Sequence, residues 1–98
     1  MCLEVESLNV QAGDRRRKIK TDTDKDRAEV AELIEKKRRD GAVIFISVNG
    51  DDFKVEGYDQ AEDELIVRKN SFKRGGRQTF NVPANGASIK IVPPNAGG

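Results

Sequence analysis

The chain has no histidine and no tryptophan, one cysteine and one tyrosine. Without histidine there is no imidazole base, no histidine-containing triad and no member of the commonest zinc-ligand sets. The single cysteine, Cys2, has no internal partner for a disulfide, so nothing points to an oxidising compartment. It reads as a small N-terminal hydrophobe rather than a reactive thiol. Apolar residues are few: the hydrophobic share is 36%, equal to the charged share, and low for a globular domain. The longest apolar run, Ala42-Val43-Ile44-Phe45-Ile46, is far below the ~20 residues of a membrane span. An excess of one charge is also missing. Eighteen Lys+Arg offset 17 Asp+Glu, for a net charge of +1, so no overall field draws the chain to nucleic acid or to a membrane. Two acids and no apolar run within Met1 to Glu6 predict that no secretory signal is present. The expectation is a cytoplasmic, non-enzymatic protein without cofactor or metal. Its 98 residues allow one modest core and exclude a two-domain enzyme with an interdomain cleft.

Within that frame the chain is well punctuated. Residues 3–10 alternate imperfectly and read as an edge strand. Gly13-Asp14 marks a turn, and Arg15-Arg16-Arg17-Lys18-Ile19-Lys20 follows, either an extended arm or a short exposed strand. Asp24 to Arg39 has the pattern of an amphipathic helix. Asp22, Thr23 and Asp24 offer capping oxygens, and Val30, Leu33, Ile34 and Lys37 share a face. Lys36 to Arg39 suit the C-terminal end, and Gly41 suits the stop. Val43 to Val48 is rich in β-branched residues, and Asn49-Gly50 predicts a two-residue hairpin. That turn sets Val48 opposite Asp51, Ile46 opposite Phe53 and Ile44 opposite Val55, and assigns Ile44, Ile46, Phe53 and Val55 to the core. Gly57-Tyr58-Asp59 is expected to leave the sheet. Further strands are predicted at Glu64 to Lys69, at Gln78 to Val82 before Pro83, and at Ser88 to Val92 before Pro93-Pro94.

The fold class this implies is α+β, with one amphipathic helix packed on a small, mainly antiparallel sheet of four or five strands. Residues 1–23 read as an N-terminal edge strand and basic arm, 24–92 as the single domain and 93–98 as a flexible tail.

Among candidate sites, Asp22, Asp24 and Asp26 alternate like the start of a calcium loop. Arg27 stands where that loop needs glycine and Leu33 where it needs glutamate, so helix capping is the better reading. Two basic clusters form a candidate contact surface: Arg15, Arg16, Arg17, Lys18 and Lys20, and Arg68, Lys69, Lys73, Arg74 and Arg77. Residues 51–64 are the opposite, with seven acids and only Lys54. Such a segregated surface suits phosphates or an acidic protein surface. Stacking aromatics are scarce, so nucleic acid is the less favoured partner.

The sharpest feature is Ile91-Val92-Pro93-Pro94-Asn95-Ala96-Gly97-Gly98. A Gly-Gly pair has no side chains and can thread a narrow channel, and Pro93 and Pro94 form a stiff spacer before it. This segment resembles the tails of ubiquitin-like sulfur-carrier proteins of the molybdopterin synthase small-subunit type, which end in Pro-Pro-x-x-Gly-Gly. Asn85 to Ile91 and Ser47-Val48-Asn49-Gly50 are similar to the last strand and central hairpin of those proteins. The likeness covers about 20 of the 98 residues. It implies a β-grasp-like domain, adenylation or conjugation at Gly97-Gly98, and an activating enzyme as partner. Two departures stand out. A β-grasp domain wants an apolar second strand, where Arg15 to Lys20 offers only Ile19, and residues 59–80 would be an insertion. The chain also resembles short phage-encoded proteins through Tyr58-Asp59-Gln60-Ala61-Glu62-Asp63-Glu64-Leu65 and its Gly-Gly. That likeness implies a structural or assembly role in a virion, with neighbouring subunits as partners.

Overall fold

The computed structural model describes residues 2–8, 15–70 and 77–94. The elements are β1 (Cys2–Ser7), β2 (Arg15–Lys20), α1 (Asp24–Arg39), β3 (Val43–Val48), β4 (Asp51–Asp59), β5 (Glu64–Asn70), β6 (Arg77–Pro83) and β7 (Ser88–Val92). All strands join one sheet in the order β2-β1-β7-β3-β4-β5-β6. The β1/β7 pair is parallel and the other pairings are antiparallel. The helix lies over β2, β3 and β4, so the molecule is α+β.

The sheet has seven strands rather than the expected four or five. One added strand is β2, at an edge of the sheet. β2 needs few apolar residues because an edge strand buries little: Ile19, opposite Leu3, packs on the core, and the charged side chains face water. Those charges also blunt the edge against unwanted pairing. β1, expected at an edge, lies inside the sheet between β2 and β7, with Leu3 and Val5 only 0% and 1% exposed. At the other side β4 does not leave the sheet at Gly57. A bulge between Val55 and Gly57 absorbs one residue, and pairing with β5 continues to Asp59.

The helix has the predicted bounds. Thr23 Oγ1 accepts from the Asp26 N–H at 3.1 Å, and Asp26 Oδ2 accepts from the Thr23 N–H at 3.3 Å, a reciprocal capping box. At the other end the Gly41 N–H donates to the Arg38 carbonyl and the Ala42 N–H to the Lys37 carbonyl, each at 3.0 Å. With Gly41 at φ +88° this is a Schellman closure. Val30 and Ile34 are buried and Leu33 half-buried under the helix. Each buried aliphatic side chain contributes about 1.5–3 kcal/mol relative to exposure.

The central hairpin also has the predicted register, with Ile46 opposite Phe53 and Val48 opposite Asp51. Asn49 and Gly50 both have positive φ, 52° and 86°, as a type I′ turn requires. Two buried residues escaped the sequence reading. Ala84, in the β6–β7 connection, is fully buried, and its N–H donates to the Asp63 carbonyl at 2.9 Å. Thr21, between β2 and α1, is 1% exposed.

Candidate binding groove

The ladder between β1 and β2 divides the first basic cluster between two faces. Arg16 and Lys18 stand opposite Glu6 and Glu4 on the face away from the helix, where opposite charges across a ladder attract. The Arg16–Glu6 pair is 3.8 Å apart. Arg15 and Arg17 stand opposite Ser7 and Val5 on the helix side and have no carboxylate across from them. Lys20 lies opposite Cys2.

The second cluster is elsewhere. Arg68 and Lys69 are on β5, five inter-strand steps from β2, about 24 Å at ordinary strand spacing. Arg68 Nε lies 2.9 Å from Glu56. Arg77 opens β6 opposite Asn70. Lys73 and Arg74 lie outside the described residues, as do Gly97 and Gly98. The described members of the two clusters, on β2 and β5, therefore lie far apart on the sheet. A lateral row does cross the sheet between them, Arg16-Glu6-Lys90-Phe45-Lys54-Arg68-Thr79. Glu6 is in the row and Glu4, Asp52 and Glu56 sit beside it, so that open face is mixed in charge rather than basic.

A groove of about 830 Å³ forms where β2 begins, β1 ends and α1 stops. One wall is Arg15, Arg16 and Arg17, and the other is Lys37 with Asp40. Leu8, Ala42, Ile91, Pro93 and Pro94 supply apolar lining. The Leu8 N–H donates to the Ile91 carbonyl at 3.0 Å, which extends the β1/β7 pairing into the groove. Pro94 rests against Gly41, where an added Cβ would stand 3.3 Å from Pro94 Cβ. The helix stop and the proline spacer are thus packed together. Among the described residues lining the groove, Arg15, Arg17 and Lys37 face one carboxylate, Asp40. Among the described residues, Arg15, Arg17 and Lys37 make no ion pair. The arrangement can hold an anionic group at its rim and an apolar one against its floor.

Lys37 was legible as a member of the helix's inward stripe, but not as a groove residue. Its position at the end of that stripe lets the methylene stem lie along apolar surface while the ammonium reaches water. The contribution of Leu8 was not legible, because the β1/β7 pairing that positions it joins opposite ends of the chain.

The other polar constellation is the β4–β5 turn. The Tyr58 hydroxyl donates to Asp63 Oδ1 at 2.5 Å. Partial burial, then this hydrogen bond and the negative charge of Asp63, push the phenol above its ordinary range. Asp59 Oδ1 accepts from the Ala61 and Glu62 N–H groups at 3.0 and 3.3 Å. From the helix, Arg27 donates to the Thr21 carbonyl at 3.1 Å and the Gln60 carbonyl at 3.3 Å, and Arg38 donates to the Glu56 carbonyl at the bulge. The acidic turn is therefore internally bonded, which accounts for Tyr58, Asp59 and Asp63 as structural residues.

Among the described residues, no group of three or more His, Cys, Asp or Glu is arranged to hold a metal ion. Among them also, no helix is long and apolar enough to cross a membrane. No protein-family model, curated protein or solved structure matches the chain.

Proposed function

We propose that the chain is a non-enzymatic, ubiquitin-like carrier or modifier of β-grasp plan, acting through Gly97-Gly98. The observation that carries this reading is the strand order β2-β1-β7-β3-β4, in which the last strand lies between the first and third and runs parallel to the first. This order supports a β-grasp plan of hairpin, helix, hairpin and returning strand. The β5–β6 hairpin then extends the sheet beyond β4, and it accounts for the length between the central hairpin and the last strand. Because β7 is laddered on both sides, the segment after it departs from a tightly held part of the fold. Pro93 and Pro94 restrict its direction, and Gly97 lets backbone approach an active site closely.

The reading requires a free α-carboxylate on Gly98. A partner activating enzyme would join that carboxylate to the α-phosphate of ATP with release of pyrophosphate. The resulting acyl adenylate would pass the glycyl group to a sulfur or amine nucleophile with release of AMP. The folded body contributes recognition. Removal of Gly98 alone is the test: adenylate and conjugate formation should vanish while thermal unfolding is unchanged. If the shortened and intact proteins act alike, the reading is wrong.

A second reading, a phage assembly subunit, draws on the contrast between the sheet edges. β2 is densely charged, whereas β6 has no charge between Gln78 and Pro83 and leaves Phe80 38% exposed. An edge of that kind accepts a neighbouring strand more readily. Concentration-dependent assembly that survives loss of Gly98 would favour it.

A further inference from the structure

We propose that the groove between β2, the end of α1 and Pro93-Pro94 docks an extended, acidic peptide segment of the partner protein, one that alternates carboxylate and apolar side chains. The proposal rests on the reading of the folded body as a recognition module. Three observations select this occupant.

The first is charge. Among the described residues, Arg15, Arg17 and Lys37 are at the groove without an ion pair, and Asp40 is the one carboxylate lining it. On the opposite face of the same strand, Glu4 and Glu6 balance the cations. The excess positive charge of β2 is therefore aimed at the groove. Guanidinium groups also match carboxylates in shape as well as charge.

The second is the floor. Leu8, Ala42, Ile91 and the proline rings line the same groove as the cations. An extended peptide sends successive side chains to opposite sides, so alternating acidic and apolar residues meet both rim and floor. A single-stranded nucleic acid would need a flat ring on which to stack a base, and among the described residues no aromatic side chain lines this groove. A free inorganic anion would leave the floor unused.

The third is position. Pro93 and Pro94 form part of the groove wall, so a partner segment held there lies beside the start of the segment that leads to Gly97-Gly98. Docking and presentation of the tail would then be one event. The volume of about 830 Å³ is in the ordinary range for a binding site.

The experiment measures binding of a fluorescein-labelled peptide of alternating glutamate and leucine to the full chain, by fluorescence anisotropy. Parallel titrations use the same peptide with glutamine for glutamate, and a labelled oligothymidylate of matched length. The protein is compared with the Arg15→Glu/Arg17→Glu variant. Both side chains are exposed, so the variant should keep its circular dichroism and unfolding midpoint. The expected result is saturable binding of the acidic peptide, weakened about tenfold or more by the double reversal and by added salt, with amide shifts at Leu8, Ala42 and Ile91. Absence of binding, equal binding by the variant, equal binding of the glutamine peptide, or preference for the oligothymidylate would each overturn the proposal. The Gly98 deletion separates this from the carrier reading. Peptide binding without conjugate formation by the intact chain removes the carrier reading alone. Conjugate formation without peptide binding removes the groove alone.

Discussion

Replacing Gly41 by alanine should destabilise the protein more than the same change at Gly50 or Gly86, because Gly41 alone of the three meets the proline spacer. The backbone cost is shared. The three glycines have φ of +88°, +86° and +82°, and an L-residue held in that region loses about 1–2 kcal/mol. The difference lies in the surroundings. A Cβ at Gly50 or Gly86 meets nothing within 4 Å, whereas at Gly41 it stands 3.3 Å from Pro94 Cβ and 3.7 Å from Pro94 Cγ. Carbon atoms prefer about 3.5–4.0 Å, so Pro94 must move by a few tenths of an ångström or the helix stop must open. That adds about 1 kcal/mol, the low end of overpacking costs. Gly50→Ala and Gly86→Ala should each lose about 1–2 kcal/mol by the backbone term, and Gly41→Ala about 2–3 kcal/mol when the crowding is added. In a domain of this size each kcal/mol lowers the melting temperature by about 4–8 °C. Urea unfolding followed by circular dichroism reads the three variants on one scale. A cycle with Pro94→Gly isolates the contact, since the effect of that change on the unfolded chain cancels. Equal losses at all three glycines, with no coupling between positions 41 and 94, would show that the spacer does not rest on the helix stop.

Three further outcomes follow from other parts of the fold. Tyr58→Phe removes the 2.5 Å bond to Asp63 and should cost about 1.5 kcal/mol, the lower end for a charged acceptor because the pair is part-buried. In the intact protein the folded state holds the Tyr58 proton more tightly than the unfolded state does. The stability this gives is complete below the unfolded value of about 10 and declines as pH rises above it. The phenolate absorbance of this one tyrosine reads the titration directly, and ionisation at the ordinary value would contradict the buried bond. Thr21→Val should be neutral or raise stability by about 1 kcal/mol, because Thr21 Oγ1 is buried without a partner among the described residues. A clear loss of melting temperature would mean that the hydroxyl is bonded. Leu65→Ala, at a side chain with 0% exposure, should cost about 2–5 kcal/mol in urea unfolding; a cost under about 1 kcal/mol would detach β5 from the core.

Local signals carried the helix and the central hairpin. Thr23, Asp26 and Gly41 are written next to the turns they close, and Asn49-Gly50 fixes its register through backbone conformation alone. The sheet's extent was less legible because it depends on partners distant in the chain. Leu3 and Val5 look like a weak edge strand until β7 pairs alongside β1 and buries them. The run Arg15 to Lys20 reads as either an extended arm or a short strand, because an edge strand can leave most of its side chains in water. The bulge at Val55/Gly57 hid the continuation of β4, since one extra residue breaks the two-residue alternation on which strand reading depends. At the site, the cations were visible, but their division by face was not. It follows from the β1–β2 register, which sets Glu4 and Glu6 against Lys18 and Arg16 and leaves Arg15 and Arg17 to the groove.

The carrier reading meets its most direct test in the tryptic peptide that follows Lys90, isolated from the protein as its own cells make it. Cleavage after Lys90 releases Ile91 to Gly98 as one piece, so mass spectrometry reports the state of the Gly98 carboxylate without further processing. The account predicts a fraction of this peptide in which sulfur has replaced one carboxylate oxygen, or in which Gly98 is amide-linked to an amine of a target. The peptide found only with an unmodified carboxylate, or continuing into further residues after Gly98, would contradict it.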